Sequence, residues 1–317
     1  MRISLDKAIK LLKQGEVVAI PTETVYGLAA DAANPQAIAK IYAAKERPAN
    51  NPLIVHIADV EQVSGWASEF SPLAQKLAAA FWPGPLTLVL PAREEVSLTV
   101  RAGEPTVALR IPSHPIAREL LRESGLGLAA PSANKYTQLS PTTAAHVEAS
   151  LGEYIPVLDG GACQVGIEST IVSVIGGKWQ LLRPGMIEES AIAEIAGSAT
   201  NQSLADTPKA PGQHLLHYSP RTPCLLFASR QALADYAATK PEAVALLFGS
   251  HNLGAIETVI NLSTNPASAA EQLYAALHRL DALHAPVILI ESPPDTHPWA
   301  AVKDRLQRAA YQPSSQK

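Results

Sequence analysis

The sequence predicts an α/β protein with a main domain and a smaller second one, and three observations carry this prediction. The length of 317 residues suits about two domains of ordinary size. Short apolar runs typical of buried strands alternate with stretches of helical periodicity along the chain. Composition changes between Gly197 and Gly212, where Ser, Ala, Thr, Asn, Gln and Pro predominate, and this is typical of a linker.

In the first domain, Ser4 is the expected N-cap of an opening helix that Gly15 ends. Further helices are expected over 36–44, 71–81, 115–124, 142–151 and 188–196. Strands are expected over 17–20, 53–57, 86–90, 106–112, 126–130 and 169–175, with a hairpin partner from Trp179.

Beyond Pro223, strands and helices alternate again. Strands are expected over 224–228, 243–248, 258–262 and 287–291, and helices over 230–238, 266–283 and 299–311. This order predicts a small α/β domain with a parallel sheet.

Composition narrows the class of protein. Hydrophobic residues make up 47% and charged residues 17%, so a large core can form. A net charge of −4 argues against bulk electrostatic capture of nucleic acid. Two cysteines, Cys163 and Cys224, supply neither a disulfide framework nor a Cys-rich zinc site. Charges near the N-terminus and the lack of a long apolar run predict a cytoplasmic protein without membrane contact.

Three predicted strands end at a proline that is followed or preceded by polar side chains. These ends are Ile20-Pro21, Ile111-Pro112 and Ala130-Pro131, and they carry Thr and Glu, Arg and Ser, and Ser and Asn. Proline often ends strands because it lacks a backbone donor, so the pattern has an ordinary structural explanation. One deep polar pocket would require the same arrangement.

Two cations, Lys45 and Arg47, end the helix that follows the first of these loops, and Pro48 and Pro52 stiffen the chain behind them. Such a basic loop suits an anion, most simply a phosphate. Cations at a helix C-terminus also complement the helix dipole without any further role.

The common nucleotide and hydrolase motifs are absent. The sequence contains no G-x-x-x-x-G-K-[ST], complete G-x-G-x-x-G, H-E-x-x-H or G-x-S-x-G motif. Arg110 and Arg183 could neutralise phosphates or a carboxylate, but a lone Arg at a strand end is more often in an ion pair. Ser and Asn in turns usually satisfy their own backbone, and His56 would by default bond to backbone.

A set of ordered motifs over residues 1–190 resembles the YrdC family, and their joint occurrence is highly specific. The chain after them, with His217-Tyr218-Ser-Pro220 and a small α/β tail, resembles the longer, two-domain members of that family, the threonylcarbamoyl-AMP synthases. The motifs are Pro21-Thr-Glu-Thr-Val-Tyr-Gly-Leu, Lys45-x-Arg47-Pro, Asn51-Pro-Leu, Phe81-Trp-Pro-Gly-Pro-Leu-Thr, Val107-Ala-Leu-Arg-Ile-Pro, Pro131-Ser-Ala-Asn, Leu158-Asp-Gly-Gly, Glu168-Ser-Thr-Ile-Val and Leu182-Arg-Pro-Gly.

The resemblance implies a fold and a reaction. The fold is a catalytic domain with a large twisted mixed sheet flanked by helices, over 1–200, and a small Rossmann-like α/β domain over 223–312. A linker or lid over 201–222 would join them, and 313–317 would form a tail. The reaction is nucleotidyl transfer, in which L-threonine, bicarbonate and ATP give L-threonylcarbamoyladenylate and pyrophosphate. The product feeds threonylcarbamoyladenosine formation on tRNA.

The resemblance also implies roles for individual residues. L-Threonine would be bound by Thr24, His56, Arg110 and Ser169. ATP would be surrounded by Lys45, Arg47, Asn51, Thr106, Ala130, Ser132, Asn134, Ser140, Arg183 and Tyr218. Lys45 and Arg47 would be the catalytic cations and Arg110 the partner of the threonine carboxylate. Magnesium would come with the triphosphate, without a protein metal site. The partners would be the downstream proteins that transfer the threonylcarbamoyl group to tRNA.

Two rival interpretations differ from this one in class. A hydrogenase-maturation carbamoyltransferase also contains a YrdC-like domain, but it needs Cys-rich zinc modules that two cysteines cannot supply. A YrdC-like RNA-binding protein without synthase activity is the second rival. The net charge of −4 disfavours RNA binding as the main role, although weak tRNA contact could accompany catalysis.

Overall fold

Ten strands form one mixed sheet in the computed structural model, which describes residues 1–48, 50–199, 207–212 and 217–311. In chain order they are β1 (Arg2–Ile3), β2 (Val18–Ile20), β3 (Gly27–Asp31), β4 (Ile54–His56), β5 (Leu86–Pro91), β6 (Thr106–Arg110), β7 (Leu128–Ala129), β8 (Val157–Leu158), β9 (Thr170–Ile175) and β10 (Lys178–Arg183). Their order across the sheet is β1-β8-β2-β3-β7-β4-β6-β5-β9-β10. Because β6 pairs parallel with β4 and antiparallel with β5, the expectation of a large mixed sheet is confirmed.

Six of the seven helices described in this part begin within two residues of the predicted start, and α4 was not predicted. The side chains of Ser4, Asn34 and Ser71 cap three of them by accepting hydrogen bonds from backbone amides of the first turn. The helices are α1 (Leu5–Lys13), α2 (Pro35–Lys45), α3 (Pro72–Phe81), α4 (Leu98–Arg101), α5 (Pro115–Ser124), α6 (Ala144–Leu151) and α7 (Glu189–Ala196), with a 3₁₀ helix over Val60–Gly65.

Strand β3 is the main element that the sequence pattern did not predict. Its residues, Gly-Leu-Ala-Ala-Asp, include no β-branched side chain, so their intrinsic preference for a strand is weak. Antiparallel pairing with β2 at Ile20 and Gly27, and with β7 on the other side, imposes the extended conformation. Tertiary pairing therefore decides the structure here. It also turns Pro21 to Tyr26 into the loop of a hairpin.

The two faces of the sheet carry different apolar clusters. On one face, buried side chains of β4, β5, β6 and β9 pack with α2 and α3; these strand residues are Val55, Leu88, Leu109 and Val172. Their sequence neighbours Ile54, Val89, Ala108 and Ile171 lie on the opposite face, where Ala210 and Leu182 pack against them. Helices α1 and α5 cover the end of that second face formed by β2, β3 and β7.

A second sheet, of four parallel strands, forms later in the chain. Its strands are β11 (Cys224–Phe227), β12 (Val244–Phe248), β13 (Val259–Leu262) and β14 (Ile288–Glu291), in the order β11-β14-β12-β13. Its helices are α8 (Arg230–Ala237), α9 (Pro266–Asp281) and α10 (Ala300–Ala309), the last preceded by a 3₁₀ turn at His297–Trp299. The expectation of a small parallel α/β domain is confirmed.

The chain divides into two compact units. The first comprises Met1–Lys135, Pro141–Gln164 and Glu168–Gln213; the second comprises Tyr136–Ser140, Val165–Ile167 and His214–Lys317. Within the second unit, Gln138 and Ser219 form a parallel bridge. Two parts of the predicted linker, 201–206 and 213–216, lie outside the described residues, as does the expected tail. Among the helices that are described, none combines the length and apolarity needed to cross a membrane.

Candidate active site

Polar side chains collect on the face of the large sheet that lies opposite α2 and α3. Side chains alternate along a strand, so residues two positions apart share a face. The polar residues that share the face of the Ile54 and Ala108 cluster, and that are all buried, include Thr106 and Arg110 of β6, His56 of β4, Thr87 of β5, Ser173 of β9 and Ser169, just before β9. A buried polar face of this kind requires internal partners, and Arg110, Thr87 and Ser169 have them.

Arg110 is the centre of the first group of contacts. Its guanidinium donates from Nη2 to Glu23 Oε1 at 2.6 Å and from Nη1 to Thr24 Oγ1 at 2.8 Å. Its Nε donates to the carbonyl oxygen of Gly84 at 3.2 Å. Both charged side chains are about 95% buried, with 4% and 5% exposed. Burial alone would raise the pKa of the Glu23 carboxyl, but the charge and hydrogen bond of Arg110, with backbone bonds, hold that pKa below its ordinary value.

His56 lies beside this ion pair, because β4 and β6 place it in register with Arg110. The imidazole is buried, with 3% exposed. Burial, and then the positive charge of Arg110, lowers the pKa of His56 to about 3, although Glu23 opposes the shift. His56 is therefore a neutral imidazole at neutral pH. It can offer one donor and one acceptor without adding charge.

Ser169 and Arg183 form the second group of contacts. The hydroxyl oxygens of Ser169 and Thr87 lie 2.7 Å apart, in a hydrogen bond between β5 and the start of β9. Arg183 donates from Nε to the Ser169 carbonyl at 3.1 Å and from Nη2 to the Ser169 hydroxyl at 3.2 Å. Its Nη1 reaches the carbonyl of Pro211 at 3.2 Å, which ties the connecting segment to the sheet.

Lys45 is the centre of the third group, at the end of α2. Its Nζ donates to the carbonyl oxygen of Ser132 and, at 2.6 Å, to that of Asn134. Burial, and then the charge of Arg47, lowers the pKa of the Lys45 ammonium well below its ordinary value, and Glu168 opposes the shift. A buried ammonium whose hydrogen-bond partners are neutral carbonyls keeps its attraction for an incoming anion.

Three further predicted residues of this unit, Arg47, Asn51 and Ala130, make hydrogen bonds to other groups of the first unit. Arg47 Nη2 donates to the Pro52 carbonyl at 3.2 Å, and the Asn51 carbonyl accepts from Tyr42 Oη at 3.0 Å. The Ala130 amide donates to the Ile54 carbonyl at 3.1 Å, at the end of β7.

The turn after β7 requires a glycine on the facing strand. Gly27 pairs with Ser132 in an isolated bridge, and a Cβ on Gly27 would lie 3.0 Å from that of Ala130. Glycine at this position therefore lets β3 approach the Pro131-Ser132 turn, whose carbonyl at Ser132 holds Lys45.

Internal hydrogen bonds fix the loop between β2 and β3. Thr22 Oγ1 donates to the Val25 carbonyl at 2.6 Å, and it accepts from the amides of Thr24 and Val25 at 3.2 Å each. Tyr26 Oη donates to the Gly161 carbonyl at 2.8 Å. The loop therefore presents Glu23 and Thr24 to Arg110 as fixed groups, so the polar ends of two of the three predicted strands meet directly.

Electrostatic contact links the groups to one another. The charge of Glu168, next to Ser169, opposes the lowering of the Lys45 pKa, and the charge of Glu23 opposes the lowering of the His56 pKa. The first unit therefore gathers residues predicted to bind threonine or phosphate into clusters, each of which holds a buried cation with polar partners. Such an arrangement can bind an amino acid carboxylate and a polyphosphate near one another.

Two of the predicted residues belong to the second unit. The Ser140 carbonyl accepts a hydrogen bond from His278 Nε2 at 3.1 Å. Tyr218 is 1% exposed, and its backbone has a φ of 59°, in the left-handed region. The guanidinium carbon of Arg305 lies 4.9 Å from the centre of the Tyr218 ring, a cation–π distance.

The residue list drawn from the sequence omits two partners that the structure reveals. Glu23 neutralises Arg110, and Thr87 bonds to Ser169. A signal was present for each of them. Glu23 is a carboxylate between two threonines at a strand end, and Thr87 is the one polar residue in the apolar run Leu86–Leu90.

Comparison with known proteins identifies the family. Residues 10–185 match the Sua5/YciO/YrdC family, described as "Telomere recombination". Residues 185–311 match the domain described as "Threonylcarbamoyl-AMP synthase, C-terminal domain". The threonylcarbamoyl-AMP synthase of Bacillus subtilis is 39% identical over 96% of this chain and 92% of its own length. The corresponding protein of Schizosaccharomyces pombe is 35% identical over 98% of this chain and 88% of its own.

The fold agrees with this assignment. The crystal structure of Pyrococcus abyssi Sua5 complexed with L-threonine matches with a TM-score of 0.89 and 36% identity, and the match covers 98% of this chain and 96% of that one. The resemblance to the YrdC family is thereby confirmed, as is its extension through the second domain. The chain belongs to the Sua5/YciO/YrdC family, in its long two-domain form, that of the threonylcarbamoyl-AMP synthases.

Proposed function

We propose that this chain catalyses the condensation of L-threonine, bicarbonate and ATP to L-threonylcarbamoyladenylate and pyrophosphate. The observation that carries the proposal is the set of buried cations in the first unit. Among them, Arg110 donates to the carboxylate of Glu23, whereas Lys45 donates to neutral backbone carbonyls. Relatives that match over nearly the whole chain and are named threonylcarbamoyl-AMP synthase support the same reaction. The product would pass to proteins that transfer the threonylcarbamoyl group to tRNA.

Threonine would bind at the Arg110 group. The threonine carboxylate would approach the guanidinium and share it with Glu23, while Thr24, Ser169 and the neutral His56 would bond the amino acid's polar groups. Because Arg110 is fixed by three acceptors before any substrate arrives, little side-chain entropy would be lost on binding.

ATP would bind at the Lys45 and Arg183 groups. Lys45 and Arg47 would neutralise the phosphates, and Arg183 would add a third positive charge. The other nucleotide contacts that we propose are Asn51, Thr106, the backbone of Ala130, Ser132, Asn134, Ser140 and Tyr218.

The reaction needs positioning more than a strong base. The threonine amine attacks the carbon of bicarbonate and water leaves, which gives a carbamate. A carbamate oxygen then attacks the α-phosphorus of ATP, the bond from that phosphorus to the bridging oxygen breaks, and pyrophosphate departs. Both reactants are anions, so the main contribution of Lys45 and Arg47 would be to hold like charges together and to stabilise charge on the departing phosphates.

Magnesium is the expected companion of the triphosphate. The described residues include no group of three or more His, Cys, Asp or Glu side chains that could hold a metal ion. Magnesium would be held mainly by the phosphates of ATP and by water, as is usual at nucleotide sites.

The decisive experiment follows pyrophosphate release from ATP. Release should require both threonine and bicarbonate, and the adenylate should appear in equal amount. Lys40 lies on the same helix as Lys45, but its side chain is 42% exposed. The variant Lys40→Ala is therefore the matched control, and it should behave like the unaltered protein. Release that is independent of threonine, or binding of RNA without any release, would rule out the proposal.

We further propose that residues 201–222 join a catalytic domain over 1–200 to the α/β domain over 223–312, and that this connection acts as a lid through Tyr218. The variants Tyr218→Phe and Tyr218→Ala test this role, since the first keeps the ring and the second removes it. Tyr218→Ala should lower turnover while the first unit melts at an unchanged temperature, and Tyr218→Phe should be milder. Unchanged turnover in both would mean that the connection is only a tether.

A further inference from the structure

The second unit contains a cavity that the proposed reaction does not use. Its volume is about 540 Å³, and it lies where the parallel strands of the small sheet end. Cavities of ~300–1,000 Å³ are the usual size for small-molecule sites. The polar residues that line it are Arg230, His251, Thr264, Glu291, Ser292, Asp295 and Lys303.

The cavity occupies a special place in the topology of the sheet. β11 and β14 are neighbours, but the helices that follow them lie on opposite faces. α8, after β11, packs with Ala245, Leu247 and Leu289. The segment after β14 leads to Trp299, which contacts Phe248 from the other face at 5.1 Å between ring centres. The chain therefore opens a crevice between the ends of these strands, and this is where open α/β sheets bind ligands.

Arg230 and Glu291 line this crevice and form an ion pair within it. Arg230 donates to Glu291 Oε1 from Nε at 3.0 Å and from Nη2 at 2.7 Å. Glu291 Oε2 accepts from Nη2 at 3.0 Å and from the Phe248 amide at 2.9 Å, so both carboxylate oxygens are already used. Arg230 Nη1, by contrast, makes no hydrogen bond to any residue that the structure describes, and it remains a donor.

The other lining groups add donors. Lys303 donates to Asp295 Oδ1 at 2.7 Å, but the Asp295 side chain is 89% exposed, so this surface pair is weak and easily exchanged. His251 and Thr264 stand on either side of Gly249, where an added Cβ would lie 3.2 Å from His251 Nε2 and 3.3 Å from Thr264 Cγ2. α8 and α9 also begin at this edge of the sheet, with their positive dipole ends towards it.

We infer that this crevice is a binding site for a small molecule that carries a phosphate group and is about the size of a mononucleotide. Cationic and neutral donors come from the segments after β11, β12, β13 and β14, whereas each of the two lining carboxylates, Glu291 and Asp295, is paired with a cation. Phe248, Pro293 and Pro294 supply an apolar wall on which the rest of the molecule could rest. The site lies wholly within the second unit and is separate from the residues assigned to the synthase reaction.

The test uses Trp299 as a local reporter in the full-length chain. The protein has four tryptophans, and Trp299 is the one in the second unit. Labelling with 5-fluorotryptophan gives one fluorine resonance per tryptophan, and Trp299→Phe assigns the relevant one. Titration with inorganic phosphate, pyrophosphate and AMP should shift the Trp299 resonance until it saturates, with AMP binding more tightly than phosphate if the apolar wall contributes.

Variants distinguish this site from the catalytic one. Lys303→Gln and His251→Gln should each weaken the Trp299 response about tenfold, since each removes a donor to the phosphate. Exposed Lys240→Gln should leave the response unchanged, and so should Lys45→Ala, whatever that variant does to synthase activity. Absence of a saturable shift with all three probes would overturn the inference. A shift that Lys45→Ala abolishes, or that neither crevice variant weakens, would overturn it equally.

Discussion

Arg110 and Lys45 are both buried cations of the first unit, and they differ in what holds them. Arg110 forms an ion pair with Glu23 at 2.6 Å, whereas Lys45 is held by the backbone carbonyls of Ser132 and Asn134. The first cation is neutralised within the protein before any ligand arrives. The second is not, and its pKa is lowered as a consequence of its burial.

The difference indicates two ways of using a positive charge. A guanidinium that is already paired with a carboxylate mainly orients a ligand, because its planar group is held in a fixed position and can bind a second carboxylate. An ammonium held by neutral oxygens mainly attracts a ligand by its charge, because a polyphosphate compensates that charge more fully than the carbonyl oxygens do. We expect Arg110 to control which amino acid binds, and Lys45 to control the rate of phosphoryl chemistry.

The largest expected effect is on turnover in Lys45→Ala. Loss of an ammonium without a carboxylate partner should lower kcat about 10³-fold, since the charge on the departing phosphates would lose its preorganised counter-charge. The change in kcat is measured by stopping the reaction at a series of times and quantifying the pyrophosphate released. Lys40 lies on the same helix, its ammonium is 2.8 Å from Glu16, and its side chain is 42% exposed. The control variant Lys40→Ala should therefore keep normal turnover. Equal loss in both variants would remove the distinction between the two kinds of cation.

The next effect is on threonine affinity and on stability in Arg110→Met. Threonine should bind about 100-fold more weakly while ATP affinity changes little, as calorimetry can measure. Removing Arg110 alone leaves Glu23 buried and unpaired, which should destabilise the first unit by about 3 kcal/mol. The double variant Arg110→Met with Glu23→Gln should recover most of the stability but none of the threonine binding. Recovery of both would show that Arg110 is a structural partner only.

Much of this arrangement could be predicted from the sequence, and the reasons are specific. Helix starts were predictable because Ser4, Asn34 and Ser71 are local capping signals that tertiary contacts did not override. The site face was predictable in part, because proline-ended strands deliver Thr24 and Arg110 to one place. What the pattern could not give is the partner of each cation, since pairing depends on distances between segments far apart in sequence.

Strand β3 shows that prediction of the fold from the sequence is limited for the same reason. Gly27 to Asp31 carries no strand propensity, and it is extended because β2 and β7 pair with it. The placement of Tyr136–Ser140 with the second unit is another feature that only long-range contacts define. Local signals therefore predicted the elements, and non-local contacts decided their partners.

A smaller effect concerns the pH dependence of stability. Among the residues around Arg110, we expect His56 to make the largest contribution to it. Its pKa in the folded protein is about 3, against an ordinary value of 6.5. Between these values the unfolded chain binds a proton that the folded protein does not, so stability falls as pH decreases through this window. The expected slope is about 1.4 kcal/mol per pH unit. Glu23, with its lowered pKa, acts in the same direction at the acid end.

The variant His56→Gln isolates this contribution. Urea unfolding of the variant at pH 7, 6, 5 and 4 should show a flatter decline in stability than the unaltered protein. His297→Gln, which removes an exposed histidine of the second unit, is the control and should leave the slope unchanged. A slope that is the same in all three proteins would mean that His56 takes up its proton in the folded state, and that Arg110 does not set the local potential.

The smallest effect is expected at an ion pair of nearly the same length as that of Arg110 and Glu23. Lys209 Nζ lies 2.8 Å from Glu104 Oε1, but the lysine side chain is 65% exposed. Water solvates the ammonium with or without its partner, so Lys209→Ala should change the free energy of unfolding by less than about 0.5 kcal/mol. Pyrophosphate release should be unaffected. A loss as large as that in Arg110→Met would show that the pairing distance, rather than burial, determines what a cation contributes to this protein.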